Sequence, residues 1–489
     1  MIAIGGAIGT GLIIGTGKAL AQAGPGSLFI LYTIIGSVVF LIMAAVGEMA
    51  AWLPISAGFT AYATRFCDPA LGFALGWWDT VNPGVFIAIF LVLIMCINFF
   101  GIRFFGEFEF WLSAVKIVTI IGIIIFLLVL ALGGGPDYDR KGFRYWQNPG
   151  AFKLYINEGA SGCFLGFWSC MINATFVFMG TELVGVTVAE AQNLRKTIPK
   201  AIKLMYYRIL IFYCLSVLLV GMIILYNSEK LVFVNQGDKK GASASPFVVA
   251  AEVASVRVVP HIINAAILIF VISASNTDIY ISSRTLYALA SDGLAPKIFK
   301  KTNENGVPVY ALGVLALFCG LAFINIADDS TKVFGYFVNL TTIFALMTWI
   351  LILVTYIYWC KARKAQKIDD EALAYVAPFG VYGTYAALFM CILVAIIKNY
   401  DVFVGDFSEK YKTFITGYLG IPVYLILLFG YKFVTRTLGI KPYEADFYSG
   451  KAAIDREEEE FLAQKAAERE MKDQSRASWF YEKFVSWLF

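Results

Sequence analysis

Eleven apolar stretches, each about as long as a membrane-crossing helix, constrain the fold of this chain more than any other feature. They cover residues 2–23, 27–53, 82–101, 111–132, 161–190, 205–226, 261–289, 308–326, 333–359, 379–398 and 413–434. A helix needs about 20 mostly apolar residues to cross a bilayer. Charged residues make up only 15% of the chain, against roughly 25% in soluble domains. The pattern predicts an all-α integral membrane protein, and a net charge of +4 gives no reason to expect a nucleic-acid partner.

Short loops rich in lysine and arginine predict the orientation of these spans. They are NLRKTIPKAIK (193–203), APKIFKK (295–301) and CKARKAQK (360–367). Because such loops stay on the cytoplasmic side, the loops 133–160, 227–260, 327–332 and 399–412 are predicted to face outward. Residues 1–434 then form a transmembrane domain. Residues 435–489 form a polar cytoplasmic tail, and the plasma membrane is the expected location.

Glycine interrupts two of the spans in a way that weakens a helix. The segment MIAIGGAIGTGLIIGTG opens the chain with six glycines in residues 2–17, each costing a helix roughly 1 kcal/mol relative to alanine. The segment FVFMGTELVGVTVAE (176–190) places Gly-Thr-Glu in the middle of another span. Paired breaks of this kind are typical of inverted-repeat transporters, which bind substrate at the bilayer midplane. Close helix packing through small residues is the alternative interpretation of the first segment.

The two breaks offer complementary backbone groups. Free N–H groups near Thr10 and Gly11, at the start of a half-helix, suit a carboxylate. Free carbonyl groups near Phe178 and Met179, at the end of a half-helix, suit an ammonium. Together they predict a site for an α-amino acid. The predicted substrate-binding residues are Ile8, Gly9, Thr10, Gly11, Phe178, Met179, Gly180 and Thr181.

Ionisable residues inside spans are candidates for function. Lys116, in FWLSAVKIVTIIG, is expected to have no neighbouring acid in its own helix and is predicted to carry a proton, unless it reaches the interface by snorkelling. Glu182 follows the second break and is a candidate for proton coupling, in which it would cap the following half-helix or pair with a cation; the alternative is a neutral residue that joins the half-helices through hydrogen bonds. Glu48 is expected to make a structural hydrogen bond near the inner surface. Glu107 and Glu109 are expected at the membrane interface.

Enzyme chemistry finds no support in the sequence. His261 is the only histidine, and the eight cysteines lack C-x-x-C spacing, so no metal site or cofactor is expected. No nucleophile–base pair stands out. The predicted function is secondary transport of an amino acid with protons across the lipid bilayer, and an amino-acid-sensing receptor built like a transporter is the alternative.

Several long motifs resemble the fungal amino-acid permeases of the amino acid–polyamine–organocation superfamily. They are MIAIGGAIGTGL, FMGTELVGVTVAEAQNLRKTIPKAIK, SASPFVVA, SASNTDIYISSRTLYALASDGLAPK and NENGVPVYAL. Two further stretches, FVNLTTIF and KTFITGYLGIPVYLILLFGYK, are most similar to the dicarboxylic amino-acid permeases. The resemblance implies twelve helices, of which ten form a LeuT-like five-plus-five inverted repeat followed by two extra C-terminal helices. It also implies proton symport of glutamate and aspartate.

The same resemblance implies roles for residues away from the breaks. Lys116 occupies the position of a sodium ion in sodium-driven relatives, and Ser275 and Asn276 belong to that ion-like site. The resemblance further implies that, in members of the family, a cytoplasmic N-terminal tail and the first part of helix 1 come before the position that corresponds to Met1 of this chain.

One departure from the family is large. In GFALGWWDTVNPG, Trp77 is followed directly by Trp78, where the family inserts the body of helix 3, roughly twenty residues. The number of membrane crossings leads to the same expectation. If the chain starts inside and has eleven spans, every basic loop after the span 82–101 would lie outside, although such loops usually stay in the cytoplasm. The chain is therefore expected to lack helix 3 and to be an inactive splice or gene-model variant. The alternatives are a functional eleven-helix protein or a first span that does not cross.

Overall fold

The computed structural model describes most of the chain. The described residues are 12, 15–52, 62–63, 65–67, 88–99, 102–136, 138–155, 158–181, 194–228, 231, 245–254, 256, 258–319, 330–403, 407–437, 439–449, 451–452, 455–456, 458–460 and 462–463. Within these ranges the regular structure is helical and contains no β-strand, which confirms the predicted all-α class.

Fourteen α-helices account for most of the described residues, and short 3-10 or π-helical turns account for much of the rest. In chain order the helices are α1 Thr16–Trp52, α2 Ala88–Phe99, α3 Ile102–Ala131, α4 Gly159–Ser169, α5 Met171–Val177, α6 Leu194–Arg208, α7 Ser216–Ile223, α8 Pro246–Val253, α9 Val259–Ser291, α10 Val309–Cys319, α11 Ser330–Ala365, α12 Gly380–Ile397, α13 Phe407–Tyr418 and α14 Gly420–Thr435. A π-helical stretch, Ile209–Leu215, joins α6 to α7.

In the described part of the chain, eight helical stretches are long and apolar enough to cross a membrane. They are Ala19–Trp52, Phe105–Ala131, Gly159–Val177, Ile198–Ile223, Val259–Ser291, Gly335–Ala365, Gly380–Ile397 and Lys410–Thr435. The predicted spans 82–101 and 308–326 correspond to the shorter helices α2 and α10, each of which borders residues outside the described part. The predicted spans 2–23 and 27–53 meet within α1.

The meeting point of those two predicted spans is a kink at Gly24, where φ is 83° and ψ is 169°. A side chain there would be strained, and its Cβ would lie only 2.8 Å from the Ala151 carbonyl oxygen. The same oxygen accepts a hydrogen bond from Gly26 N–H at 2.8 Å, and Lys153 N–H donates to the Ala23 carbonyl at 3.0 Å. The 151–153 segment therefore packs on the kink, and glycine is required at position 24.

The helices pack in two groups. Helix α1 is central to the first group and contacts α4, α5, α6, α7, α11 and α12. In the second group, α9 contacts α2, α3 and α10. Contacts between α3 and α7 join the two groups. Each candidate site described below lies in or beside one of these two groups. The packing of the helices within a group therefore determines which polar side chains contact each other.

Candidate functional site

The second predicted break begins where α5 ends at Val177. Phe178 N–H and Met179 N–H bond to carbonyls only three residues back, at 3.1 and 3.3 Å, so the α-helical ladder has stopped. Gly180 then adopts a left-handed φ of 82°. The Thr181 hydroxyl donates to the Phe178 carbonyl at 2.9 Å, which occupies one lone pair of that oxygen. The helix thus ends at the predicted place, while its continuation lies outside the described residues.

Aromatic side chains hold the end of α5 in place. The Phe178 ring is fully buried. It stacks on Tyr213 with 4.7 Å between ring centroids and meets the edge of Tyr32 at 5.9 Å. Met179 and Gly180 are only partly buried. The break therefore presents a fixed side formed by Phe178 and a more accessible side at the next two residues.

The beginning of α1 lies next to this break. A Cβ on Gly15 would lie 3.9 Å from a methyl group of Val177. The Thr16 hydroxyl donates to the Leu12 carbonyl at 2.5 Å and shares a 2.8 Å hydrogen bond with the Tyr32 hydroxyl. These contacts bring the last residues of the first glycine-rich segment to the end of α5. Of the predicted site residues, Ile8, Gly9, Thr10, Gly11 and Glu182 lie outside the described part of the chain.

A second polar cluster lies inside the α2–α3–α9 group. Lys116 on α3 is fully buried, so it does not reach the membrane interface. The expectation that it has no acid nearby is wrong, because it is attracted electrostatically to Glu109, on the same helix, and to Asp278, on α9. Glu109 is also fully buried, so its predicted interfacial position is wrong, whereas Glu107 is exposed.

Glu109 stays inside because neighbouring helices supply hydrogen-bond donors. The Ser273 hydroxyl donates to Glu109 Oε1, and the Asn276 amide donates to Glu109 Oε2 at 3.4 Å. The Ser113 hydroxyl donates to Oε1 at 3.4 Å. Asn98 on α2 extends the network by donating to Asn276 Oδ1 at 2.9 Å. A buried carboxylate needs such partners to offset the loss of water.

The structure brings only part of the predicted ion-like site together. Asn276 joins Glu109 and therefore lies close to the Lys116 charge. Ser275 is buried on α9, but among the described residues its hydroxyl makes no hydrogen bond to this cluster. Glu109, Asp278, Ser273 and Asn98 were missed as site residues. The seven-residue spacing of Glu109 and Lys116 was the one available signal, since it places both on one helical face two turns apart.

A third polar cluster joins the last turns of α1 and α11. Glu48 Oε2 accepts hydrogen bonds from the Tyr356 hydroxyl at 2.7 Å and from Ala377 N–H at 2.5 Å. The Arg363 guanidinium lies 3.8 Å from Glu48 Oε1 and 2.5 Å from Asp370. Glu48 is therefore a structural residue, and the side chain ties α1, α11 and the 370–377 segment together.

The segment after α14 packs against this same end of the helices. Phe447 is fully buried and meets the rings of Trp52, Phe66 and Trp359 at 6.4, 5.0 and 6.1 Å. Gln366 donates to the Ala445 carbonyl at 2.6 Å. These residues come from α1, the 65–67 segment and α11. The 439–449 segment, which we call the docked segment, thus connects three parts of the chain.

A model of the amino acid permease family matches residues 1–81 and 77–438. The chain belongs to the amino acid permease family. This permease is a membrane transporter of amino acids and not an enzyme, as the sequence predicted. The eight apolar stretches agree with an integral membrane protein.

Three relatives illustrate how this permease compares with its family. The dicarboxylic amino acid permease of Saccharomyces cerevisiae is 49% identical over all of this chain and 85% of its own length. The proline-specific permease of Emericella nidulans is 38% identical over 98% of this chain and 91% of its own. The general amino-acid permease of Saccharomyces cerevisiae is 36% identical over 98% of this chain and 83% of its own. The motifs quoted from the sequence therefore belong to a similarity that spans the chain.

Proposed function

We propose that this permease is a secondary active transporter that moves glutamate and aspartate together with protons across the plasma membrane. The acidic substrate is supported by the name of the 49% identical relative, the dicarboxylic amino acid permease. Proton coupling is supported by the buried cluster of Glu109 and Lys116. That cluster is the observation on which the proposal most depends.

The substrate would bind between the two backbone breaks. Carbonyl groups at the end of α5 carry the negative end of the helix dipole and suit an ammonium. Phe178 O keeps one lone pair beyond its bond to Thr181, and Met179 and Gly180 are partly accessible. The substrate carboxylate would meet the N–H groups predicted near Thr10 and Gly11. The short distance of 3.9 Å between a Cβ built on Gly15 and a methyl group of Val177 supports the closeness of the two segments.

The proton would be carried by the cluster around Lys116. A lysine with no access to water holds its proton weakly unless a negative charge lies nearby. Glu109 and Asp278 supply that negative charge, and Ser273 and Asn276 bind Glu109. A change in the spacing of α3 and α9 would therefore change the proton affinity of the cluster. Glu182 and Ser275 remain candidate participants.

The proposed architecture is the LeuT-like five-plus-five repeat with two extra helices at the C-terminal end. In support, the helices that carry the breaks, α1 and α5, share one packing group, whereas the Lys116 cluster lies in the other. Movement of one group against the other would couple the two sites. The basic loops support a cytoplasmic position for the docked segment and the tail.

We further propose that the chain lacks helix 3 and does not transport as it stands. The family model matches in two pieces that meet at residues 77–81, where the sequence predicts the gap. The alignment with the yeast dicarboxylic permease has 519 positions for the 489 residues of this chain, so at least 30 positions have no residue here. That number is enough for one membrane crossing.

Uptake of labelled aspartate into proteoliposomes tests these proposals. Two proteins would be compared: this chain, and a form in which the helix-3 segment of the yeast dicarboxylic relative is inserted between Trp77 and Trp78. We expect the restored form alone to accumulate aspartate, only under an inward proton gradient, with glutamate competing better than arginine. Robust uptake by the shorter chain would contradict the helix-3 proposal. Accumulation of aspartate that does not depend on the proton gradient would contradict proton coupling. Stronger competition by arginine than by glutamate would contradict the specificity for acidic amino acids.

A further inference from the structure

Lys398 is a buried lysine that none of the sites above uses. It follows the last residue of α12, and its side chain is 1% exposed. The end of α12 is attached to α4, because the Trp168 indole donates to the Ile397 carbonyl at 3.2 Å. The Tyr400 hydroxyl likewise donates to the Leu165 carbonyl at 2.7 Å. Lys398 therefore lies beside the half-helix that leads to the 178–181 break, at the end predicted to face outward.

The charge of Lys398 is poorly compensated. Its ammonium donates to the main-chain carbonyl of Asn339 on α11 at 3.1 Å. An ammonium has three N–H donors, so a single acceptor leaves two without use. Among the described residues no carboxylate forms an ion pair with it. A buried charge is normally paired, because removing it from water is costly.

Two asparagines beside this lysine also have side-chain atoms without hydrogen-bond partners in the described part of the chain. Asn399 is the next residue in the sequence, and Asn339 is the residue whose carbonyl binds the lysine. Asn399 is fully buried, and neither atom of its side-chain amide has a hydrogen-bond partner among the described residues. Asn339 Oδ1 is buried and unpartnered as well. The Asn399 side-chain amide packs directly against Gly417 on α13. A Cβ added to Gly417 would lie only 1.6 Å from Asn399 Nδ2. Buried polar groups are satisfied in more than about 90% of cases, so three such atoms on Asn399, which follows Lys398, and on Asn339, whose carbonyl binds Lys398, require an explanation.

We infer that Lys398, Asn339 and Asn399 form a binding site for a small anionic group, either a chloride ion or a carboxylate of an amino acid. The ammonium and the Asn399 amide N–H groups supply donors for the anion. Water that hydrates the anion donates to the unpartnered amide oxygens. The carboxylate form of the inference rests on the proposed acidic substrate, because an acidic amino acid has a second carboxylate. The chloride form is independent of it.

The melting temperature of the purified full chain in detergent tests this site without requiring transport. A ligand that binds only the folded protein raises the melting temperature in a saturable way. We expect chloride, compared with methanesulfonate, or L-aspartate, compared with L-asparagine, to raise it by about 2 °C or more. Chloride and L-aspartate distinguish the two sources. If neither anion has a saturable effect on the wild type, the inference is overturned.

Two variants show whether Lys398 is responsible. Lys398→Met removes the charge at similar length, and we expect it to melt higher than the wild type in methanesulfonate and to lose the anion response. Lys300→Met, at an exposed lysine, is the matched control and should leave the response unchanged. If Lys398→Met melts lower than the wild type in every salt and keeps the response, Lys398 is a structural tie to Asn339 and the inference is wrong. If Lys398→Met does not fold, Lys398→Arg should keep the response, and its loss there would also contradict the inference.

The same measurements separate this inference from the proposed function. A chloride effect that depends on Lys398, with no effect of either amino acid, supports the anion site and counts against acidic substrate binding. An L-aspartate effect that survives Lys398→Met, with no chloride effect, supports the proposed substrate and overturns the inference.

Discussion

Glu109 and Lys116 lie seven residues apart on α3, both side chains are fully buried, and their charges attract each other. Seven residues are close to two helical turns, about 10 Å along the axis, so both side chains leave the helix on the same face. Each charge lies out of reach of water and compensates the other. We expect removal of either one to affect both folding and proton movement.

Glu109→Gln is expected to lower the free energy of unfolding by about 3–5 kcal/mol, because the buried Lys116 loses the larger of the two negative charges that compensate it. In the form with helix 3 restored, proton-driven accumulation of aspartate should fall while exchange of labelled for unlabelled aspartate persists. Glu107→Gln, at an exposed position two residues away, is the control. The double variant Glu109→Gln, Lys116→Met should recover part of the lost stability. If both single glutamate variants behave alike, the cluster has no special role.

Gly180→Val is expected to abolish uptake by the restored form while membrane expression remains. Gly180 has a φ of 82°, which a β-branched residue rarely adopts, and its side chain would fill space at the break. Gly313→Val on α10 is a suitable control, because a Cβ there would meet nothing within 4 Å. Normal uptake by Gly180→Val would show that substrate does not approach this turn.

Tyr356→Phe is expected to destabilise the protein by about 1–3 kcal/mol, since Glu48 loses one of its two hydrogen-bond donors in a buried position. The melting temperature of the purified chain measures the effect. Tyr358→Phe changes a more exposed tyrosine on the same helix and should have an effect within about 0.5 kcal/mol. Equal effects of the two substitutions would mean that the Glu48 bond contributes nothing measurable.

Phe447→Ala is expected to release the docked segment, because truncation of a fully buried phenylalanine costs about 3–5 kcal/mol. Limited proteolysis should then cleave within residues 439–449, whereas the wild type resists. Tyr448→Ala removes an adjacent but exposed aromatic and is the control. Rapid cleavage of the wild type at the same positions would contradict stable docking.

Docking of this segment should be insensitive to pH over the neutral range. Burial alone would raise the pKa of Asp446, but hydrogen bonds from Ser449 and Tyr448 and the charge of Arg65 lower it overall. A lowered pKa means that the stabilisation is complete above the usual aspartate pKa of about 4 and is lost only as pH falls further. Proteolysis at pH 8 and pH 6 should therefore be equal. Asp446→Asn should increase cleavage at both pH values, unlike Glu371→Gln at an exposed acid.

The sequence alone was sufficient for the class of the protein and for the end of α5. Apolar stretches of bilayer length leave few alternatives to helices, because backbone groups in lipid must bond within their own segment. The break at Phe178–Gly180 was predictable because glycine and a polar pair interrupt an apolar run. The sequence also predicted a boundary between the first two spans, which corresponds to the kink at Gly24. It did not predict the contact with Ala151 that requires glycine at this position.

The tertiary structure decided which polar residues are buried together. Glu109 near a helix start was expected at the interface, but Ser273 and Asn276, more than 160 residues later in the chain, provide its hydrogen bonds. Lys398 stands at the end of an apolar span, where a lysine usually extends to the interface, and only the packing of α11 and α4 around the end of α12 buries it. A local pattern predicts which residues form a helix, whereas the partners of a buried charge come from other helices and depend on how those helices pack.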